Sequence, residues 1–410
     1  MLSEFYKQER VPLEDAFGKE YPVYFLRPAA EYRALVRSCG VVDLTHWRIL
    51  RVQGKDRASF LNAMLTNDVA SLETHQGSHS TMTTVKGKIV SELFVFARAR
   101  EHTVVVSQGD FEETVSVLRK HIFHEDVTVD DVSHEYGILG VEGPKAKETI
   151  HRLLGTGRLP TSPLDGVERE FENFSIVVVR NTVSGEPGYH VMVPAGEVLR
   201  IRNYLIQAAR GSDGLPIGRI AWNIRRVESG LPWYGIDFSG DNFPQEARLG
   251  HTVNYTKGCF LGQETLARLE HQGHVNRVLV GLVPEEDASS EDVRERLRTM
   301  LEFSAHAGDD ELPKQAVHDA KILDLRDDFP PGSAVYPSNE TKARGDSDEK
   351  KPGGWITSAV YSFALQKPLF MAYVRGEWLE TTRSFRVDAP RGEVAVGETA
   401  LPLGPPAKDS

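Results

Sequence analysis

The chain has 410 residues, 40% of them hydrophobic and 26% charged, with a formal net charge of -11 and an isoelectric point near 5.7. That length exceeds one compact core and suits two or three domains, while the acidic balance argues against nucleic acid as a primary partner. Only two cysteines are present, Cys39 and Cys259, which excludes a disulfide framework or an all-cysteine zinc site. No apolar run approaches the ~20 residues of a membrane span. The N-terminus, MLSEFYKQERVPLEDAFG, lacks an apolar signal core. The expectation is a cytoplasmic protein without a membrane partner.

In chain order, residues 28–40 predict a helix that Pro28 opens and Gly40 closes. VVDLTHWRILRVQG follows and leans towards strand. Residues 55–70 predict a second helix, with Phe60, Leu61, Met64 and Leu65 at helical spacing. Residues 78–85 and 88–98 read as a hairpin turned at Lys86-Gly87, and 102–108 as a further strand. Asp110 with Glu113 forms a capping box before the helix FEETVSVLRKHIF. The same grammar recurs: strand YGILGVEG, helix PKAKETIHRLLG behind Pro144, strands at 174–181 and 188–194, and a helix at 196–211 closed by Gly211. Tight turns join neighbouring strands, which points to α+β modules with antiparallel pairs rather than a doubly wound parallel sheet. No Gly-rich dinucleotide fingerprint or phosphate loop occurs. Charge-rich insertions fall at about 284–325 and 339–354, and WITSAVYSFALQKPLFMAYVRG then alternates as strands.

The chemistry-bearing residues concentrate in 219–277. Ile220, Ile224 and Val227 share one helical face and Gly230 ends that helix. Glu228 sits in its last turn, where the helix dipole disfavours an anion. Such a carboxylate is either solvated or paired with a cationic or N–H-rich group, and carboxylates suit the amidine-like edge of a pterin or guanine. Trp233 and Tyr234 either stack on a planar ligand or pack a core. In KGCFLGQE (257–264), two glycines bracket Cys259 before a helix start. Lys257 and that helix start favour a thiolate, nucleophilic or metal-binding. The plainer reading is a small residue in a tight turn. His251, His271 and His274 lie near in sequence, yet no oxyanion-hole pattern accompanies a Cys–His pair and the spacing fits no standard zinc rule. No metal is expected.

These residues resemble a known family. RVESGLPWYGIDF resembles the Arg-x-Glu-x-Gly-(Leu/Ile)-Pro-x-x-Gly signature of the glycine-cleavage T-protein (aminomethyltransferase) superfamily. PQEA (244–247) and YTKGCFLGQETLARLEHQGHVNRVLVGL resemble its YgfZ-type folate-binding branch. VVDLTHW, FLNAMLTNDVA and SGEPGYHVMVP resemble further segments of the superfamily.

The resemblance implies an α+β, three-lobed fold. Its expected parts are a discontinuous first lobe (1–54 and 139–275), a second α+β lobe (55–138), and a C-terminal β-barrel (276–405) interrupted by the two charged insertions. It implies tetrahydrofolate, or a one-carbon derivative, as ligand. Glu228 is expected to pair with the pterin ring, and Tyr189 to wall the pocket with Ser91, Trp233, Tyr234 and Lys257 nearby. Arg225 and Arg226 are candidates for the folate's glutamate tail, against the plain reading of solvated arginines. It also implies support of iron–sulfur client proteins, with Cys259 as the motif thiol near the folate. True aminomethyltransferases carry Gly-Gly-x-x-Asp-Asp on the hairpin. Here the run is GKIVSE, which puts Ser91 in the slot of the first Asp and Glu92 in the next. A hydroxyl cannot replace a catalytic carboxylate, so the main expectation is a folate-dependent iron–sulfur assembly or repair factor. The alternative is one-carbon transfer to tetrahydrofolate.

Overall fold

Two α+β layers and a barrel account for the described residues, which are 2–16, 19–155, 157–272, 275–285, 320, 323–338, 353–390 and 392–403 of a computed structural model. The first sheet runs from edge to edge as β10 (Gly166–Phe171), β11 (Phe174–Val179), β12 (Gly188–Pro194), β9 (Tyr136–Glu142), β3 (Gly40–Asp43) and β13 (Leu215–Ile217). All pairs are antiparallel except β3 with β13. The second sheet runs β5 (Gly77–Thr83), β6 (Ile89–Ala97), β7 (Glu101–Gly109), β4 (Arg48–Gln53) and β8 (Thr128–Asp131). A closed barrel follows: β14 (Arg277–Pro284), β17 (Lys367–Arg375), β16 (Gly354–Ser362), β15 (Ala334–Pro337), β18 (Ser384–Ala389) and β19 (Gly392–Thr399). β1 (Leu13–Ala16) and β2 (Lys19–Pro22) form a separate ribbon.

The helices are α1 (Ser3–Gln8), α2 (Pro28–Arg37), α3 (Arg57–Met64), α4 (Phe111–Lys120), α5 (Ala146–Leu154), α6 (Val198–Arg210), α7 (Arg219–Glu228), α8 (Gln263–Gln272) and α9 (Gly376–Thr381). Asp110 caps α4 as its spacing requires, accepting from the Glu113 N–H at 2.9 Å. The second predicted helix is shorter than expected, closing at Met64, because Leu65 turns extended and bridges to Met82 of β5. β4 pairs with β7 and β8, so the 1–54 segment divides between the two sheets before residue 48 and not at 54. Most of both charged insertions lies outside the described residues.

Side chains alternate across each sheet. One face of the first sheet packs under α5 and α6 through Val41, Leu139, Val141, Ile176, Val178, Tyr189 and Val191. One face of the second packs under α3 and α4 through Leu50, Val52, Leu93, Val95, Val104 and Val106. The opposite faces meet in a central core, where Trp47, Phe94, Val105, Ile138 and Met192 join α2, α7 and the barrel residues Leu279, Met371 and Tyr373.

Helix α7 is pinned to the barrel by a buried ion pair. Arg226 Nη1 donates to Asp237 Oδ2 at 2.5 Å, and its Nη2 donates to Ser358 of β16 at 2.9 Å. Asp237 Oδ1 accepts from Thr357 and Ser358, and its Oδ2 from the Trp233 N–H. Neither charged side chain sees more than 1% of its surface in water, so removing one partner strands the other. Asp237→Ala should cost on the order of 3–5 kcal/mol. Glu264→Ala, which breaks the exposed Glu264–Arg268 pair, should cost under about 1 kcal/mol. Urea denaturation of the two variants measures the difference.

Candidate functional site

The faces turned towards each other by the two sheets carry the polar groups that packing alone does not explain. From the second sheet come Trp47, Phe94, Phe96, Arg98, Thr103 and Val105; from the first come Ile138, Val177, Val179, Asn181, His190 and Met192. They enclose about 30 Å³ of open space, enough for a water or two. Asn181 Nδ2 is buried here with no hydrogen-bond partner. His190 lies 3.5 Å from Glu142 and packs edge-on against Trp47. Glu142 is fully buried. Burial pushes its carboxyl up, but His190 and the Ser184 and Val183 donors outweigh it and hold it below the usual carboxylate range.

Strand alternation redistributes the sequence candidates. Ser91 is a correction: its hydroxyl accepts from Thr114 of α4 at 2.9 Å, on the helix-covered side. Glu92 takes the opposite side, shared with Phe94 and Phe96, and its Oε1 meets His79 Nε2 at 2.7 Å. Glu92 Oε2 is buried and unpartnered. A carboxylate therefore does stand on the inner face of the hairpin, one position later than the sequence comparison placed it. Tyr189 is corrected in the same way. It lies in the core beneath α5 and α6, accepting from Arg180 at 3.2 Å, while His190 faces inward.

Glu228 is fully buried at the end of α7, where the chain's own donors meet it. Tyr32 of α2 donates to Oε2 at 2.6 Å, Ser362 of β16 to Oε1 at 2.7 Å, and Arg225 lies at 3.3 Å. Arg225 also binds Glu186 at 2.7 Å. Burial raises the Glu186 carboxyl, and Arg225 only partly offsets this. The plain reading of solvated arginines does not hold, since Arg225 and Arg226 are both buried. Trp233 packs edge-on against Trp222 in the central core, and Tyr234 against Phe238 beside Ile89.

The 257–264 loop is wedged between α3 and the β5–β6 hairpin. The Leu261 N–H donates to Ala63 O and the Leu261 carbonyl accepts from Thr83 at 2.8 Å. Gly262 has φ +86°, and a Cβ there would stand 2.5 Å from the Thr84 carbonyl, so only glycine fits. Lys257 donates to the carbonyls of Asn62 and Leu65 at the C-terminal end of α3. Burial lowers its amine to about 8. Cys259 is exposed at the tip. His271 lies on the exposed side of α8, and His274 falls outside the described residues. Among the described residues no cluster of His, Cys, Asp and Glu has metal-binding geometry. A groove of about 1470 Å³ runs beside the barrel, with Phe243, Trp355, Lys88, Arg277 and Arg375 on its walls.

Residues 2–257 match the model of the GCVT N-terminal domain, and 323–403 that of the glycine cleavage T-protein C-terminal barrel domain. The chain belongs to the glycine cleavage T-protein family. An aminomethyltransferase of Shouchella clausii is 30% identical over 284 residues, 68% of this chain and 77% of that protein. One from Bacillus subtilis is 27% identical over 68% of this chain and 78% of its own length. The structure of glycine cleavage system aminomethyltransferase T from Bartonella henselae shares the fold, with a TM-score of 0.76 and 19% identity over 98% of this chain and 96% of that one. In this T-protein family chain the two matched ranges contain both sheets, α7 and most of the barrel. Cys259 falls between them. No helix among the described residues is long and apolar enough to cross a membrane.

The two thiols should behave oppositely. Cys39 is buried, and burial pushes its thiol up to about 11. Ellman's reagent at pH 8 should titrate one thiol per folded chain and two after denaturation, and Cys259→Ser should abolish the fast equivalent.

Proposed function

We propose that this chain binds a reduced folate and takes part in one-carbon transfer to it, of the aminomethyl kind that its relatives' name describes. The observation carrying this reading is Glu92: a buried carboxylate on the inner face of the hairpin, with one oxygen left without a partner. The replacement of the first hairpin Asp by Ser91 argued against catalysis only if that position faced the ligand, and Ser91 faces α4.

The donor set suits a pteridine. Trp47 and Phe94 offer ring faces and Asn181 Nδ2 an unused donor in that space, and Glu92, which reaches its wall through the His79–Phe94 stack, offers an unused acceptor. The remaining 30 Å³ is too small for a bicyclic ring, so entry requires these aromatic side chains to move. A bound reduced folate supplies the nitrogen that accepts the one-carbon unit. The chain's contribution is the Glu92 carboxylate set against largely apolar walls, where positive charge developing on a substrate is stabilised more than in solution.

A second reading has its own support. Cys259 is exposed on a loop whose docking demands glycine at 262, as suits the YgfZ-type branch and a role supporting iron–sulfur client proteins. Tetrahydrofolate should quench the intrinsic tryptophan fluorescence saturably. Glu92→Gln should lower one-carbon transfer about 100-fold or more while largely sparing binding. No binding up to millimolar folate would overturn the proposal. Folate binding with no transfer, and loss of iron–sulfur enzyme activity in cells carrying only Cys259→Ser, would favour the second reading.

A further inference from the structure

The inward carboxylate is connected to the surface. Glu92 Oε1 meets His79 Nε2 at 2.7 Å, and His79 Nδ1 meets His251 Nε2 at 3.2 Å. His251 is exposed, whereas the Glu92 side chain is 92% buried (8% exposed). His79 is held flat against Phe94, with ring centroids 4.5 Å apart and planes 27° from parallel. The three groups come from β5, β6 and the 250–252 turn, so the juxtaposition is tertiary. They form a line and not a convergent cage: both nitrogens of the middle imidazole are spoken for by its neighbours. That geometry disfavours a metal site and leaves Glu92 Oε2 as the free end.

We propose that His251, His79 and Glu92 form a proton relay between solvent and the inner face of the two sheets. This rests on the one-carbon reading for its purpose, though not for its existence. In the tautomer with Glu92 ionised, His79 donates from Nε2 to the carboxylate and accepts at Nδ1 from His251 Nε2–H; in the opposite tautomer the other His251 nitrogen donates to the Arg248 carbonyl. In one turnover the Nε2 proton of His79 passes to Glu92, the Nε2 proton of His251 passes to His79 Nδ1, and a solvent proton binds His251 Nδ1. Both imidazoles end neutral in the opposite tautomer, and one proton has moved from water to the buried carboxyl. Run in reverse, the relay removes a proton that Glu92 has taken from a substrate nitrogen. Glu92 is the group placed to touch substrate; His79 and His251 act through it.

Four influences bear on the His251 ring: partial burial of the ring, which lowers its proton affinity, His79 from β5, which lowers it further, and Glu92 from β6 and the Arg248 carbonyl, which both raise it. Histidine-labelled protein followed by NMR against pH reads these directly, without folate. In His79→Gln the His251 midpoint should rise, and in Glu92→Gln it should fall, each by on the order of one pH unit. A His251 midpoint unmoved in both variants overturns the relay. If one variant does not fold, the other still decides. Where transfer activity is present, His251→Ala should lower kcat more than KM, and added imidazole should restore part of it. Coupled titration without any folate binding would leave the relay standing and remove the one-carbon reading; transfer activity with uncoupled histidines would do the reverse.

Discussion

Two neighbouring arginines on α7 hold the first sheet, α2 and the barrel in register. Consecutive helical residues point about 100° apart, so Arg225 and Arg226 reach in different directions from one turn. Arg226 locks onto Asp237 and Ser358, fixing the helix to the barrel. Arg225 bridges Glu186, on the loop between β11 and β12, and Glu228, which in turn receives Tyr32 of α2 and Ser362 of β16. Burying this many charges is tolerable only because nearly every lone pair and N–H finds a partner. The network therefore demands one arrangement of sheet, helix and barrel. That arrangement holds the central core closed around Trp47 and Phe94.

Given that frame, the functional character of the interior follows from strand periodicity. A sheet covered by helices on one side must send alternate residues to the other. On β12 this turns Tyr189 under the helices and His190 inward; on β6 it turns Ser91 under α4 and Glu92 inward. The inner faces thus acquire a carboxylate, two imidazoles and an amide within an otherwise apolar space, the setting in which polar groups interact strongly.

Much of this was legible from residue patterns, and the failures have identifiable physical causes. Asp110 and Glu113 announced α4 because capping is local. The α+β class and the C-terminal barrel followed from turn spacing and from the resemblance to the T-protein superfamily. Ser91 and Tyr189 were assigned to the wrong face because alternation reveals two faces but not which one a helix covers. On β6 a bulge at Val90, between the pairs Thr83–Ile89 and Met82–Ser91, complicates the count further. The parallel pairing of β13 with β3, about 175 residues away, leaves no local trace. The same holds for His79 and His251, whose contact spans 172 positions. Lys257 looked like a partner for the adjacent thiol, but the unsatisfied carbonyls at the end of α3 claim it.

On the proposed reading, ligand and protein meet at the inner face of the second sheet. Crystals grown with a reduced folate, or with a non-transferable analogue, test this most directly. The ring should lie between the two sheets, with Trp47 or Phe94 displaced and a ring nitrogen within hydrogen-bonding distance of Glu92. A ring bound wholly in the barrel groove, with Glu92 still buried and untouched, would contradict it.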